Sequence, residues 1–288
     1  MEQICITKKV CLHHHSELTN KIQMKKNLIS YLILLTSVIT FAQTDTTWHH
    51  KKCAVVLTYD DALNVDLTNA IPALDSLNLK ATFYISDYFR GLNSQILKWR
   101  SATANGHKLG NHTVFHPCEG GLAGREFVKP DYDLNNYTVR RMTDEIKTMN
   151  VILKAIDGKT KRTFAYPCSD TKIHDTSYID PLKNDFVAAR AVREEMQKIE
   201  QVDLYNIGCY MINGETGDQL ISLVKQAMEK HALIVFLFHG VGGEHSLNVS
   251  LDAHSKLLHF LKENEKNIWT APMIDVAEYI KNYQSHNK

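Results

Sequence analysis

Of 288 residues, 33 are Lys or Arg and 32 are Asp or Glu, so the chain has almost no surplus of either charge and a formal net charge of +1. Nucleic acid and other polyanions are therefore poor candidates for a partner. Downstream of residue 42 the chain has no internal repeat, no linker and no low-complexity tract, which argues against an array or a disordered scaffold. Nor is any apolar run there long enough to cross a bilayer. The glycine-containing stretch "HGVGGEHS" at residues 239–246 lacks the Lys-Ser/Thr ending of a phosphate loop, so Gly240, Gly242 and Gly243 read as residues that let the backbone turn sharply. No two cysteines stand at the close paired spacing of a structural zinc site. Hydrophobic residues make up an ordinary 44%, enough for a core.

The N-terminal region has its own pattern. From Met24 the sequence runs "MKKNLISYLILLTSVITFAQ": two lysines, an apolar stretch from Leu28 to Ile39, and a small residue at Ala42. That order is the layout of a secretory signal peptide. The expected organisation is an upstream extension over 1–23, a signal peptide over 24–42 and one domain over 43–288, exported to the periplasm or secreted. No lipid-anchor cysteine follows the signal, and no protein partner is predicted. Cys53, Cys118, Cys168 and Cys209 would then mature where disulfides persist, with three possible connectivities.

Short apolar runs alternate with amphipathic stretches, the mark of an α/β protein with a mainly parallel sheet. "CAVVLTY", "ATFYI", "HKLGNH", "TFAY", "DFVAARAV", "LYNIGCYMI", "ALIVFLFH" and "IWTA" read as strands. Met142, Ile146, Met149, Leu153 and Ile156 recur at helical spacing. Cys118 to Tyr137, rich in Gly, Asp and Asn, reads as a long functional loop. Seven or eight such units suggest one closed barrel.

Ionisable residues follow the apolar runs repeatedly, at the strand ends where barrels gather their chemistry. "VVLTYDD" stops at Asp60 and Asp61, "HTVFH" holds His112 and His116, "DFVAAR" ends at Arg190, and "ALIVFLFH" ends at His239. Two adjacent carboxylates need a cation or a proton between them. Two histidines four apart with one carboxylate make the two-nitrogen, one-oxygen set of a hydrolytic metal with a coordination position left open for water.

"TYDD", "HTVFH" and "LFH" resemble, in order and spacing, signature motifs of the polysaccharide deacetylases, the NodB-homology carbohydrate esterases of family 4. The resemblance covers about Cys53 to Tyr279 and implies an α/β fold, a distorted (β/α) barrel of the NodB-homology type in a single domain. It implies that Asp60 is the general base, that Asp61, His112 and His116 hold one divalent metal, and that His239 is the general acid. Zn²⁺ is the first choice of metal, with Co²⁺, Ni²⁺ or Mn²⁺ as alternatives.

One motif departs from the pattern. Where the family often has Arg-x-Pro-Tyr, this chain has "AYPC", with Ala165 at the Arg position and Cys168 at the Tyr position. The Cys168 backbone N–H can still serve the oxyanion. Arg162 lies three residues too early, and Arg190 on the next strand is the expected substitute. A fourth, acidic and aromatic motif is not evident; Asp203, Tyr205 and Trp269 are candidates by position alone. Cys118 and Cys168 each follow a motif segment and are expected to pair, which leaves Cys53 with Cys209. His245 and His254 read as residues behind the site or on the surface.

The implied substrate is an acetylated carbohydrate. The N-acetyl groups of a glucosamine-containing polymer or oligosaccharide come first, and O-acetyl esters of a hemicellulose such as xylan come second. Rival readings are a carbohydrate-binding protein with a degenerate site and a barrel phosphoesterase, the latter disfavoured because such sites gather more carboxylates or a second metal.

Overall fold

Eight strands build one sheet, in which neighbouring strands run parallel. β1 (Cys53–Asp60) is central, flanked by β2 (Thr82–Ile85) and β9 (Leu233–Phe238). The path continues from β2 to β3 (Lys108–Asn111), β4 (Thr163–Ala165) and β7 (Ala188–Arg190), and from β9 to β8 (Tyr210–Met211). β12 (Ile268–Thr270) pairs with the opening residues of β1. Two small pairs, β5 with β6 (Lys172–Ile173, Thr176–Ser177) and β10 with β11 (Gly240–Val241, Asn248–Val249), stand apart. The sheet curls until Arg190 meets Ile207 in a parallel bridge just before β8. The structure, a computed structural model, describes residues 47–88 and 92–286, which belong to one compact unit. The signal-peptide assignment and Cys5 and Cys11 lie outside the described residues.

Two-residue periodicity in β1 sorts the core. Val55, Leu57 and Tyr59 face an outer layer built by α1 (Ile71–Ser76), α2 (Leu92–Ala104), α4 (Gly217–Lys230) and α5 (Leu251–Glu263). Ala54 and Val56 face the concave side, which Met273, Val276 and Ile280 of α6 (Met273–His286) close. Asp60 shares the register of the concave set, so a strand buried over its whole length delivers a carboxylate to the inside. α3 (Val139–Asp157) starts at a Thr138 cap and ends at Gly158 (φ 73°), and all five of its expected apolar residues are buried.

Two expectations need correction. "LYNIGCYMI" is strand only at Tyr210–Met211, because Asp203 builds a turn that takes the Tyr205 and Asn206 N–H groups. Cys53 and Cys209 are free and buried. Cys53 packs in the outer layer and Cys209 on the concave side, so the sheet separates them. Cys118 and Cys168 are bonded as expected.

Candidate active site

Because the strands run parallel, the ends of β1, β3, β4, β7 and β9 open on one rim. Asp60 and Asp61 close β1, and both are buried. His112 leaves β3 and donates its Nδ1–H to Ala165 O at 2.8 Å, which directs the Nε2 lone pair inward. Nε2 lies 3.6 Å from Asp60 Oδ2 and 3.8 Å from Asp61 Oδ1. His116 Nε2 lies 3.8 Å from the same Asp61 oxygen. The backbone between the two histidines is tightly turned, with Thr113 at φ 63° and His116 at φ 51°.

That turn is held by its neighbours. The Thr113 N–H donates to Asn111 Oδ1, the His116 N–H to Thr113 Oγ1, and the Phe115 N–H to Glu145 Oε1 of α3. Glu145 also accepts from the Tyr137 hydroxyl. Sequence reading missed Glu145; a lone acid in an amphipathic helix gives no signal of its own.

One ligand atom each from Asp61, His112 and His116 fall within 4.8 Å of one another. Asp61 Oδ1, which faces both rings, is buried with no hydrogen-bond partner. Burial, helped by the Asp60 charge and resisted by His112, pushes Asp61 up to about 6. Burial pushes His116 down to about 4 and lowers His112. An orphaned carboxylate oxygen facing two neutral imidazoles is the donor set a divalent cation takes, so these residues fit the metal implied by the motifs.

Asp60 is in a different state. Burial favours its neutral form, but Arg190, then His112 and His239, outweigh burial and hold the carboxyl below its usual range. Arg190 Nη2 reaches Asp60 Oδ2 at 2.5 Å, and neither side chain is appreciably exposed. In the β4–β7 pairing Ala165 is directly opposite Arg190. Arg190 is therefore one strand over from the motif position and at the same height, and from there it reaches Asp60. The guanidinium also lies 5.0 Å over the Tyr84 ring and donates from Nη1 to Cys209 Sγ. Tyr84 in turn needs Gly110 on β3, since a Cβ there would come within 2.3 Å of the ring. Arg162 is engaged elsewhere, by Asp157 and Leu109 O.

Cys168 sits in the turn after β4 at φ 51° and lines the same cavity of about 850 Å³. The Ser169 and Asp170 N–H groups close that turn on Tyr166 O and Pro167 O; the Cys168 N–H is not among the bonds that do so. The disulfide ties this turn to the loop after His116.

His239 enters from β9, with Nε2 4.0 Å from Asp61 Oδ2. Its Nδ1 is buried without a partner, and its ring stacks on His245 at 4.7 Å. Burial holds it down at about 3, so the resting ring is neutral. His254 is buried rather than on the surface, with Nε2 2.7 Å from the Tyr59 hydroxyl.

The candidates for a fourth motif lie at the opposite rim. The Tyr205 hydroxyl donates to Lys183 O and Phe186 O ahead of β7, Asp203 caps Tyr205, and Trp269 packs on His49 and Tyr279 beside the start of β1. None can line an acetyl pocket.

Residues 49–180 match the family model described as polysaccharide deacetylase, a span that includes Asp60, Asp61, His112, His116 and Cys168. No curated protein matches the chain. Among solved structures, a protein assigned as a polysaccharide deacetylase from Mycobacterium smegmatis shares 13% identity, with 81% of this chain and 92% of that one covered at a TM-score of 0.58. The Xyl-CE4 domain of a multidomain xylanase from the hindgut metagenome of Trinervitermes trinervoides shares 16%, with 80% and 91% covered at a TM-score of 0.50. At such identities these likenesses speak to the fold. Over residues 49–180, which carry the matched motif residues, the chain is therefore similar to polysaccharide deacetylases, a family of hydrolases.

Proposed function

We propose that this protein hydrolyses acetyl groups from a carbohydrate, with the N-acetyl group of a glucosamine-containing glycan as the first substrate. The observation that carries the reading is the buried Asp60–Arg190 pair next to the Asp61, His112 and His116 cluster. It keeps one carboxylate ionised as a base while a second is left for a cation. A divalent cation held by Asp61, His112 and His116, zinc first, would lower the pKa of water and polarise the acetyl carbonyl.

The chain's own groups do the rest. Asp60, fixed by Arg190, takes a proton from the attacking water. The Cys168 N–H offers a hydrogen bond to the oxygen that gains negative charge. That charge raises the proton affinity of the neutral His239 ring, which takes up a proton from solvent and passes it to the leaving atom as the acetyl bond breaks; acetate departs and Asp60 returns its proton to solvent.

The O-acetyl reading is kept by one observation, the missing acidic partner at His239 Nδ1. An amine must be protonated to leave, whereas an alkoxide can depart with a less complete transfer. The ion pair of Arg190 with Asp60, made from the strand next to the motif position, supports a working site over a degenerate binding one. The test is acetate release by zinc-loaded protein from a chitooligosaccharide and from acetylated xylan, with Asp60→Ala as control. Loss of release in the variant supports the reading; no release from either substrate overturns it.

Export over a signal peptide at 24–42, leaving a mature domain of 43–288, belongs to the same proposal and is supported by the Cys118–Cys168 bond. Among the described residues no helix is long and apolar enough to cross a membrane. N-terminal sequencing of the protein recovered outside the cytoplasm checks the cleavage point.

A further inference from the structure

The glycine-containing stretch after β9 has no part in the steps above, yet it is firmly built. β10 and β11 close its base, where the Gly240 N–H donates to Leu247 O and the Gly242 N–H to Val249 O. The Gly243 N–H donates to Asn248 Oδ1. Gly240 has no room for a side chain, since a Cβ there would come within 2.3 Å of Gly243 O. Glu244, at φ 69°, turns its carboxylate onto the segment that follows Asp61. Its Oε1 accepts from Asn64 Nδ2 and its Oε2 from the Val65 N–H, both at 2.7 Å. One acid thus ties the loop that follows His239 to the loop that carries the two aspartates.

The next residue, His245, lines the catalytic cavity and meets His239 there. The two rings stack at 4.7 Å with their planes 14° apart. The Leu247 N–H donates to His245 Nδ1 at 3.0 Å, which fixes the orientation of that ring and leaves its proton on Nε2. His239 has no comparable hold of its own. Its Nδ1 is buried without a hydrogen-bond partner among the described residues, and its Nε2 is 4.0 Å from Asp61 Oδ2, beyond hydrogen-bond length. The terminal torsion of an imidazole side chain has only a broad minimum, so the contacts around the ring decide where Nε2 aims.

We infer that His245 is a positioning residue for His239: stacked on it, and anchored through Glu244 and Leu247, it holds the ring in the plane from which Nε2 delivers a proton to the leaving atom. A flat ring does by contact what a carboxylate at Nδ1 would do by hydrogen bonding. Proton transfer needs the donor within hydrogen-bond reach and in line, so a ring free to turn spends most of its time misaimed. This inference rests on the proposed function and adds a part to its last step.

His245→Leu and His245→Phe are the test pair, because both forfeit the Leu247 bond and only the second keeps a flat ring. Relaxation of isotope-labelled histidine reports the order of the His239 ring, whose signal is assigned by its loss in His239→Asn. Hydrolysis of the N-acetylglucosamine tetramer and of p-nitrophenyl acetate by zinc-loaded protein is followed in parallel. The His239 ring should be rigid in the wild type and in His245→Phe and mobile in His245→Leu. In His245→Leu, kcat should fall about tenfold more on the tetramer than on the aryl ester, whose leaving group needs no proton, with KM unchanged. His245→Phe should recover most of that loss. A His239 ring equally ordered in all three proteins, His245→Phe as impaired as His245→Leu, a change confined to KM, or equal losses on the two substrates overturns the inference. A ring that loosens in His245→Leu, in a protein that releases no acetate, would leave the positioning contact standing and defeat the deacetylase reading. Acetate release indifferent to His245 would do the reverse.

Discussion

Replacing Arg190 by Met keeps the length and apolar stem of the side chain and removes only the charge. Asp60 would then be a carboxylate 3% exposed with no cation beside it, and its Oδ1 already lacks a partner. Breaking a buried pair from one side costs about 3–5 kcal/mol, and full burial leaves no solvent screening to discount. Asp60 has a depressed pKa in the folded wild type, so its contribution is present above the unfolded carboxylate value and lost as pH falls through the folded one. In Arg190→Met the folded value moves above the unfolded one, and the variant regains stability as Asp60 takes up a proton. The gap between the two proteins is therefore wide near neutrality and narrows in acid. Urea unfolding of metal-free protein at about pH 7 and about pH 5 measures it. The ascending limb of the pH–rate profile moves to higher pH, and the double variant Asp60→Asn/Arg190→Met recovers most of the stability. A loss below about 1 kcal/mol with an unshifted limb would refute the pairing as the source of the ionised base.

Four further outcomes follow from other contacts. His239→Asn should depress amide hydrolysis far more than that of p-nitrophenyl acetate, whose leaving group needs no proton; equal losses in steady-state kinetics would deny His239 the acid role. Metal-free protein should gain a proton on Asp61, and with it stability, as pH falls through about 6, so zinc titrated near that pH should displace protons, counted by calorimetry in buffers of differing ionisation enthalpy. Tyr59→Phe should cost about 1–2 kcal/mol by orphaning buried His254 Nε2, and Tyr59→Phe/His254→Leu should recover it in thermal melts. Replacing Cys118 and Cys168 with serine opens a link between residues 50 apart in sequence and should cost about 4 kcal/mol in urea.

Much of this site was legible because its residues stand at the ends of apolar runs. Asp60, Asp61, His112, His116 and His239 follow strands whose burial on both faces shows as continuous hydrophobic sequence. Arg190 was legible for the same reason once Ala165 was found in the arginine position. Glu145 was not. It holds the turn between the two histidines from a distant helix, and such a contact leaves no period in the sequence. The Cys53–Cys209 pairing failed because counting cysteines carries no information about which face of a sheet each one occupies. Asp203, Tyr205 and Trp269 failed for a related reason: a position in sequence does not say at which rim of a barrel a residue emerges.

The Ala165–Arg190 register also bears on ancestry. A guanidinium that moves sideways between paired strands keeps its target while its motif disappears from the linear text, so a search for the string alone misses the ion pair. The two single-step routes between arrangements are unequal. Losing the old arginine first strands Asp60 without a counter-charge, whereas gaining Arg190 first gives one carboxylate two donors for a time. A lineage that made such an exchange without losing its base would have passed through the doubled form, and Ala165→Arg in the present chain would build that form for inspection.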